Sequence, residues 1–127
     1  MLKESRNNTK YDNLMDAALN YVTIRGFQEI KSTTEGYDQP FQYTMQDKSV
    51  TFTPDITAKN RDKKHYFEIA QRTDDPTYLA SKWKLLATLA EMKKGKFTIL
   101  VPYGQNKFTE QLVMQHEIEA ELVKLDV

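Results

Sequence analysis

SVTFTPDITAKNRDKKHYFEIAQ, residues Ser49–Gln71, holds two runs of period two on either side of a polar centre. In the first, Val50, Phe52 and Ile56 point one way and Ser49, Thr51, Thr53, Asp55 and Thr57 the other, the pattern of a strand with one face in a core. In the second, Phe67 and Ile69 alternate with Tyr66, Glu68 and Ala70. The polar stretch Lys59–Lys64 joins them, so the pair predicts a hairpin. A turn symmetric about Arg61 and Asp62 sets Ile56 against Phe67 and Pro54 against Ile69 on the apolar side. The same register sets Asp55 opposite Glu68 on a polar side shared with Thr53, Thr57 and Tyr66.

Outward from the hairpin the period lengthens. Asp74 or Asp75 can cap a helix with Pro76 in its first turn, and Gly95 supplies the stop. Lys96–Tyr103 (KFTILVPY) is nearly continuous in apolar and β-branched residues, the composition of a strand covered on both faces. A last helical stretch runs from about Lys107 to Lys124. Upstream, Leu14, Ala17, Ala18, Tyr21, Val22, Ile24 and Arg25 fall on one side of a helix over residues 10 to 25, which Gly26 ends; Asp12, Asp16, Asn20 and Thr23 fall on the other. Phe27–Thr34 shortens toward a strand, Glu35–Pro40 (EGYDQP) is turn material, and Phe41–Met45 can extend a strand or hairpin. The order α-β-β-β-α-β-α predicts an α/β sandwich, a central mixed β-sheet flanked by helices, with residues 1–127 as a single domain.

Composition narrows the function classes. One Trp, seven Tyr and six Phe among 127 residues supply core anchors, so a mean hydropathy of -0.68 reads as a charged surface on a small folded domain. The absence of Cys excludes disulfides, a Cys-based zinc site, an iron–sulfur cluster and a thiol nucleophile, and only His65 and His116 could serve a His-rich metal site. Eighteen basic residues balance eighteen acidic ones, so no global field draws the chain to nucleic acid or to an anionic membrane. No apolar run reaches the ~20 residues of a membrane helix, and MLKESRNNTKYDNLM has no signal-peptide core; the expectation is a cytoplasmic protein without a membrane partner.

The chemistry concentrates on the hairpin. Side chains directly opposed across a ladder have Cβ atoms about 4.5–5.5 Å apart, where two carboxylates repel unless something lies between them. A hard divalent cation takes one or two carboxylates together with waters and phosphate oxygens, which makes Asp55 and Glu68 a candidate metal pair. The alternative is two acids on a wet strand face, kept apart by a bulge or paired with Lys63, Lys64 or Arg72. On the following helix, steps of about 100° put Met92, Leu85, Tyr78, Leu89, Leu86, Ala90 and Trp83 on one arc with Lys82 in its middle. A lysine on an apolar face needs an anionic partner, and the Asp55–Glu68 pair is the nearest candidate; otherwise its stem covers Trp83 or Tyr78 and its ammonium reaches water. Lys59, Arg61, Lys63, Lys64 and His65 make a basic hairpin tip, suited either to phosphate contact or to solubility.

The element order, with Pro54-Asp55 late in one strand and Glu68-Ile69-Ala70 in the next, resembles the PD-(D/E)xK nuclease superfamily. This is the restriction-endonuclease-like fold that includes Holliday-junction resolvases, and the likeness spans about Tyr11 to Tyr103. The resemblance implies Asp55 and Glu68 as ligands of Mg²⁺ or Mn²⁺, and DNA as substrate. Ala70 stands where the family carries its lysine. Some branches are similar in placing that lysine on the next helix, which implies Lys82 as the third catalytic residue beside Asp55 and Glu68. A homodimer, or a protein partner that supplies specificity, is a further expectation from small resolvase-like proteins. Ala70, the neutral charge and the lack of an acid on the inner face of the first helix favour the alternative, an inactive nuclease-fold binding or assembly module.

Overall fold

The computed structural model describes residues 2–45 and 50–126. Helix α1 (Leu2–Ile24) is followed by β1 (Gln28–Ser32), β2 (Tyr43–Met45), β3 (Val50–Phe52), β4 (Ile56–Asn60) and β5 (Lys63–Ile69). Then come α2 (Pro76–Met92), β6 (Phe97–Val101), α3 (Asn106–Gln115) and β7 (Glu121–Lys124). The main sheet runs β1-β4-β5-β6-β7; β1, β4 and β5 are antiparallel neighbours, while β5, β6 and β7 are parallel. This is the mixed sheet expected of an α/β chain.

Each face of the sheet is buried. On one side Met15, Ala18 and Val22 of α1 pack against Ile56, Phe67, Leu100 and Leu125. On the other, Trp83 and Leu86 of α2 and Leu112 of α3 cover Tyr66, Ile99 and Val101. All five residues of β6 are buried, as its unbroken apolar run requires. Among the described residues no helix is long and apolar enough to cross a membrane.

The hairpin forms in the expected register, with Ile56 paired to Phe67 and Thr57 to Tyr66. Its turn is tighter than expected: the strands reach Asn60 and Lys63, and Arg61 and Asp62 both take positive φ, 56° and 70°, the twist that a two-residue turn needs to match the strands. Four expectations are corrected. The run Ser49–Ala58 is two strands, because Pro54 has no N–H for a ladder and the Asp55 N–H is taken by a side chain; β3 instead pairs with β2 in a separate hairpin, Tyr43 to Phe52. Ser49 lies outside the described residues. The supposed wet face of the hairpin is a second core: Tyr66, Thr57 and Glu68 are buried. The last segment does not stay helical to Lys124. It ends at Gln115 and returns as β7 beside β6. On α1 the inward stripe is Leu14, Met15, Ala18, Leu19 and Val22, whereas Ile24 is 68% exposed.

Candidate functional site

The site lies where the β4–β5 ladder stops. Past the Ile56–Phe67 pair the strands no longer exchange main-chain bonds; instead each acid captures the other strand's backbone. The Asp55 N–H donates to Glu68 Oε2 at 2.8 Å and the Ile69 N–H donates to Asp55 Oδ2 at 2.9 Å. The pair therefore stands at the end of the ladder, Asp55 meeting the α1 layer and Glu68 the α2 layer. From the α1 side the Tyr11 hydroxyl donates to Asp55 Oδ1 at 2.9 Å, with Thr33 Oγ1 3.3 Å from the same hydroxyl. From the α2 side the Trp83 indole N–H donates to Glu68 Oε1 at 3.1 Å, and Lys82 Nζ lies 3.1 Å from Glu68 Oε2.

Burial sets the electrostatics. The Glu68 side chain is 2% exposed and that of Lys82 14%, so both charges have left most of their water. Burial first, then the neighbouring Asp55 charge, pushes Glu68 up to about 7, against the pull of Lys82 and the Asp55 N–H. Burial pulls the Lys82 ammonium down, but Glu68 and Asp55 outweigh it, so Lys82 is held above its ordinary value and stays protonated. Tyr11, buried against Asp55, is raised as well and remains a hydroxyl donor.

All three residues singled out in the sequence thus meet at one point, and the wet-face alternative falls: the partner of Glu68 is Lys82. Lys82 is able to do this because α2 crosses the face of β5 that carries Glu68, with Asp75 capping the helix through the Tyr78 N–H at 3.0 Å. Ala70 is fully buried beneath the same helix. Gln71 lies beyond the end of β5, and His65 accepts the Lys96 N–H on Nδ1 at 3.2 Å, away from the acids. Asp12 and Asp16 point to solvent, as expected. Tyr11 and Trp83 escaped the sequence reading, Tyr11 because nothing local ties it to Asp55 and Trp83 because its apolar position masks a useful N–H.

The donor set suits a hard cation. A carboxylate oxygen has two lone pairs, and Asp55 Oδ1, Asp55 Oδ2 and Glu68 Oε1 each accept one hydrogen bond, so each keeps one free. Burial raises Glu68 first and the like charge of Asp55 second, and a cation between the two acids would offset both. Among the described residues no group of three or more His, Cys, Asp or Glu could hold a metal ion; the acids of this site are a pair. No protein-family model, curated protein or solved structure matches the chain.

Proposed function

We propose that this protein is a small restriction-endonuclease-like enzyme of the PD-(D/E)xK type that hydrolyses DNA phosphodiester bonds with Mg²⁺ or Mn²⁺. The observation that supports the reading is the ammonium of Lys82, 3.1 Å from Glu68, which would take from α2 the role that Ala70 cannot perform. Asp55 and Glu68 would hold the cation. Bound there, it supplies Lewis-acid polarisation of a phosphate oxygen and a lowered pKa for the attacking water. Lys82, kept protonated, is a donor and not a base: its N–H groups orient the water and steady charge that develops on the phosphoryl oxygens. Tyr11 and Trp83 fix the two carboxylates, so no rotamer search precedes the chemistry. Acting on cellular DNA, the protein belongs in the cytoplasm, as a homodimer or with a partner that adds specificity.

A second reading has its own observation. Glu68 is almost fully buried, and its two oxygens already accept from Asp55, Lys82 and Trp83, which also suits a structural clasp in an inactive binding or assembly module. Calorimetry with Mg²⁺ and Mn²⁺ on wild type and Asp55→Asn, with plasmid and branched DNA cleavage on the same samples, separates the two. Trp83 is the single tryptophan and bonds Glu68, so its fluorescence reports binding directly. The enzyme reading expects metal binding that Asp55→Asn abolishes, metal-dependent cleavage, and a loss of about 10²-fold or more in cleavage rate for Lys82→Met with metal binding retained. Absence of metal binding by the wild type leaves the module.

A further inference from the structure

Beside the carboxylates stands a row of aromatic rings that the reaction does not use. Tyr78 lies one helical turn before Lys82 on α2, so the two side chains are neighbours on one face, their Cβ atoms about 5–6 Å apart. Its ring rests on Phe52, centroids 5.2 Å apart, and its hydroxyl donates to the Thr51 carbonyl at 3.1 Å, yet Tyr78 remains 42% exposed. Phe52 is paired across the β2–β3 hairpin with Tyr43, and Tyr43 meets Phe41 edge-on at 4.9 Å; Phe41 is 64% exposed. The row is joined to the site through the chain and through one hydroxyl contact. Phe52 leads through Thr53 and Pro54 straight into Asp55, and the Tyr43 hydroxyl lies 3.1 Å from that of Tyr66 on β5.

A ring anchored at its hydroxyl and along one face, with the rest in water, loses little freedom when something stacks on it. Duplex binding is driven by neutralising phosphates along the backbone, and this chain has no net charge, while Lys82, the cation of the site, shares its charge with Glu68. Lys63, Lys64, Lys93, Lys94 and Lys96 sit at the start of β5 and after α2, the far end of both elements from Glu68 and Tyr78. At the near end Arg72, in the loop between β5 and α2, lies over the Phe108 ring at 5.6 Å, so what Tyr78 adds beside the acids is stacking, which an unpaired base offers and a base inside a duplex does not. On the nuclease reading above, we infer that Tyr78, on its Phe52–Thr51 seat, stacks an unpaired base beside the Asp55–Glu68–Lys82 cluster, and so selects single-stranded or branched DNA over duplex.

The test is fluorescence anisotropy of a labelled short oligothymidylate and of a labelled blunt duplex, in EDTA so that binding is read without cleavage. The wild type should bind the single strand more tightly. Tyr78→Leu, which keeps an apolar side chain on Phe52, should weaken single-strand binding by about 5- to 150-fold and leave duplex binding unchanged. Tyr78→Phe, which keeps the ring, should stay within about 3-fold of wild type. Equal single-strand affinity in wild type and Tyr78→Leu overturns the inference, as does a wild type that prefers duplex or binds neither probe. The nuclease reading fails separately, through absent metal binding or cleavage by the wild type, and metal-dependent cleavage with Tyr78-independent binding would leave it standing alone.

Discussion

At residue 68 a carboxylate is held where water scarcely reaches, and the consequence is a pH dependence of definite sign. Glu68 moves from 4.5 to about 7 on folding, so folding takes up a proton between those values. The stability linked to it is complete below about 4.5 and is lost as pH rises through about 7. Glu68→Gln carries no such titration. Urea midpoints should show this variant gaining on wild type from pH 5 to pH 8, by up to about 3 kcal/mol. Tyr11→Phe removes the hydrogen bond to Asp55 Oδ1 and should lower stability by about 1–2 kcal/mol in thermal unfolding, because the acceptor is charged and partly buried. The Asp55–Glu68 opposition and the inward Lys82 were legible from period alone. Tyr11 was not, since its partner is a residue on another element, and neither was the burial of Glu68, which depends on α2 lying over it.

At the scale of elements, two helices end in the same unadvertised way. The expected stop of α2 was Gly95, but the left-handed residue is Lys94, at φ 62°, with the Lys94 N–H bonded to the Glu91 carbonyl and the Gly95 N–H to that of Ala90. α3 repeats the motif with Glu117 at φ 51°, where Glu117 bonds Met114 and Ile118 bonds Val113. A glutamate in that position gives no stop signal in the sequence, so the helical period reads on to Lys124. Gly95 instead makes room for a neighbouring strand, since an ideal Cβ on it would sit 1.8 Å from the Lys64 carbonyl oxygen. Because that oxygen is main chain at the start of β5, Gly95→Ala should cost at least about 2 kcal/mol in urea unfolding. Lys94→Gly should instead stabilise by about 1 kcal/mol, by removing the left-handed penalty.

At the scale of the whole molecule, stability rests on a sheet covered on both faces and completed at one edge by the last strand. Ile118 and Leu125 are buried on opposite faces, with the α2 and the α1 layer respectively. Ending the chain after His116 removes both and uncovers one edge of β6. Each buried aliphatic is worth about 2–5 kcal/mol against a total of about 5–15, so the shortened chain should show no cooperative unfolding transition by circular dichroism. Alternation and helical period alone determined the hairpin register, the two-sided burial of β6, the position of α2 and the candidate acids, because these patterns record which side of an element is apolar. Tertiary structure decided what those patterns cannot encode. It turned the polar side of the hairpin into a second core by laying α2 across it, broke the first strand at Asp55 by giving its N–H to Glu68, and drew β7 to the edge of β6. The physical reason is shared: a polar atom, a main-chain donor or an open strand edge is satisfied by whatever partner the fold brings near, and that partner comes from a distant part of the chain.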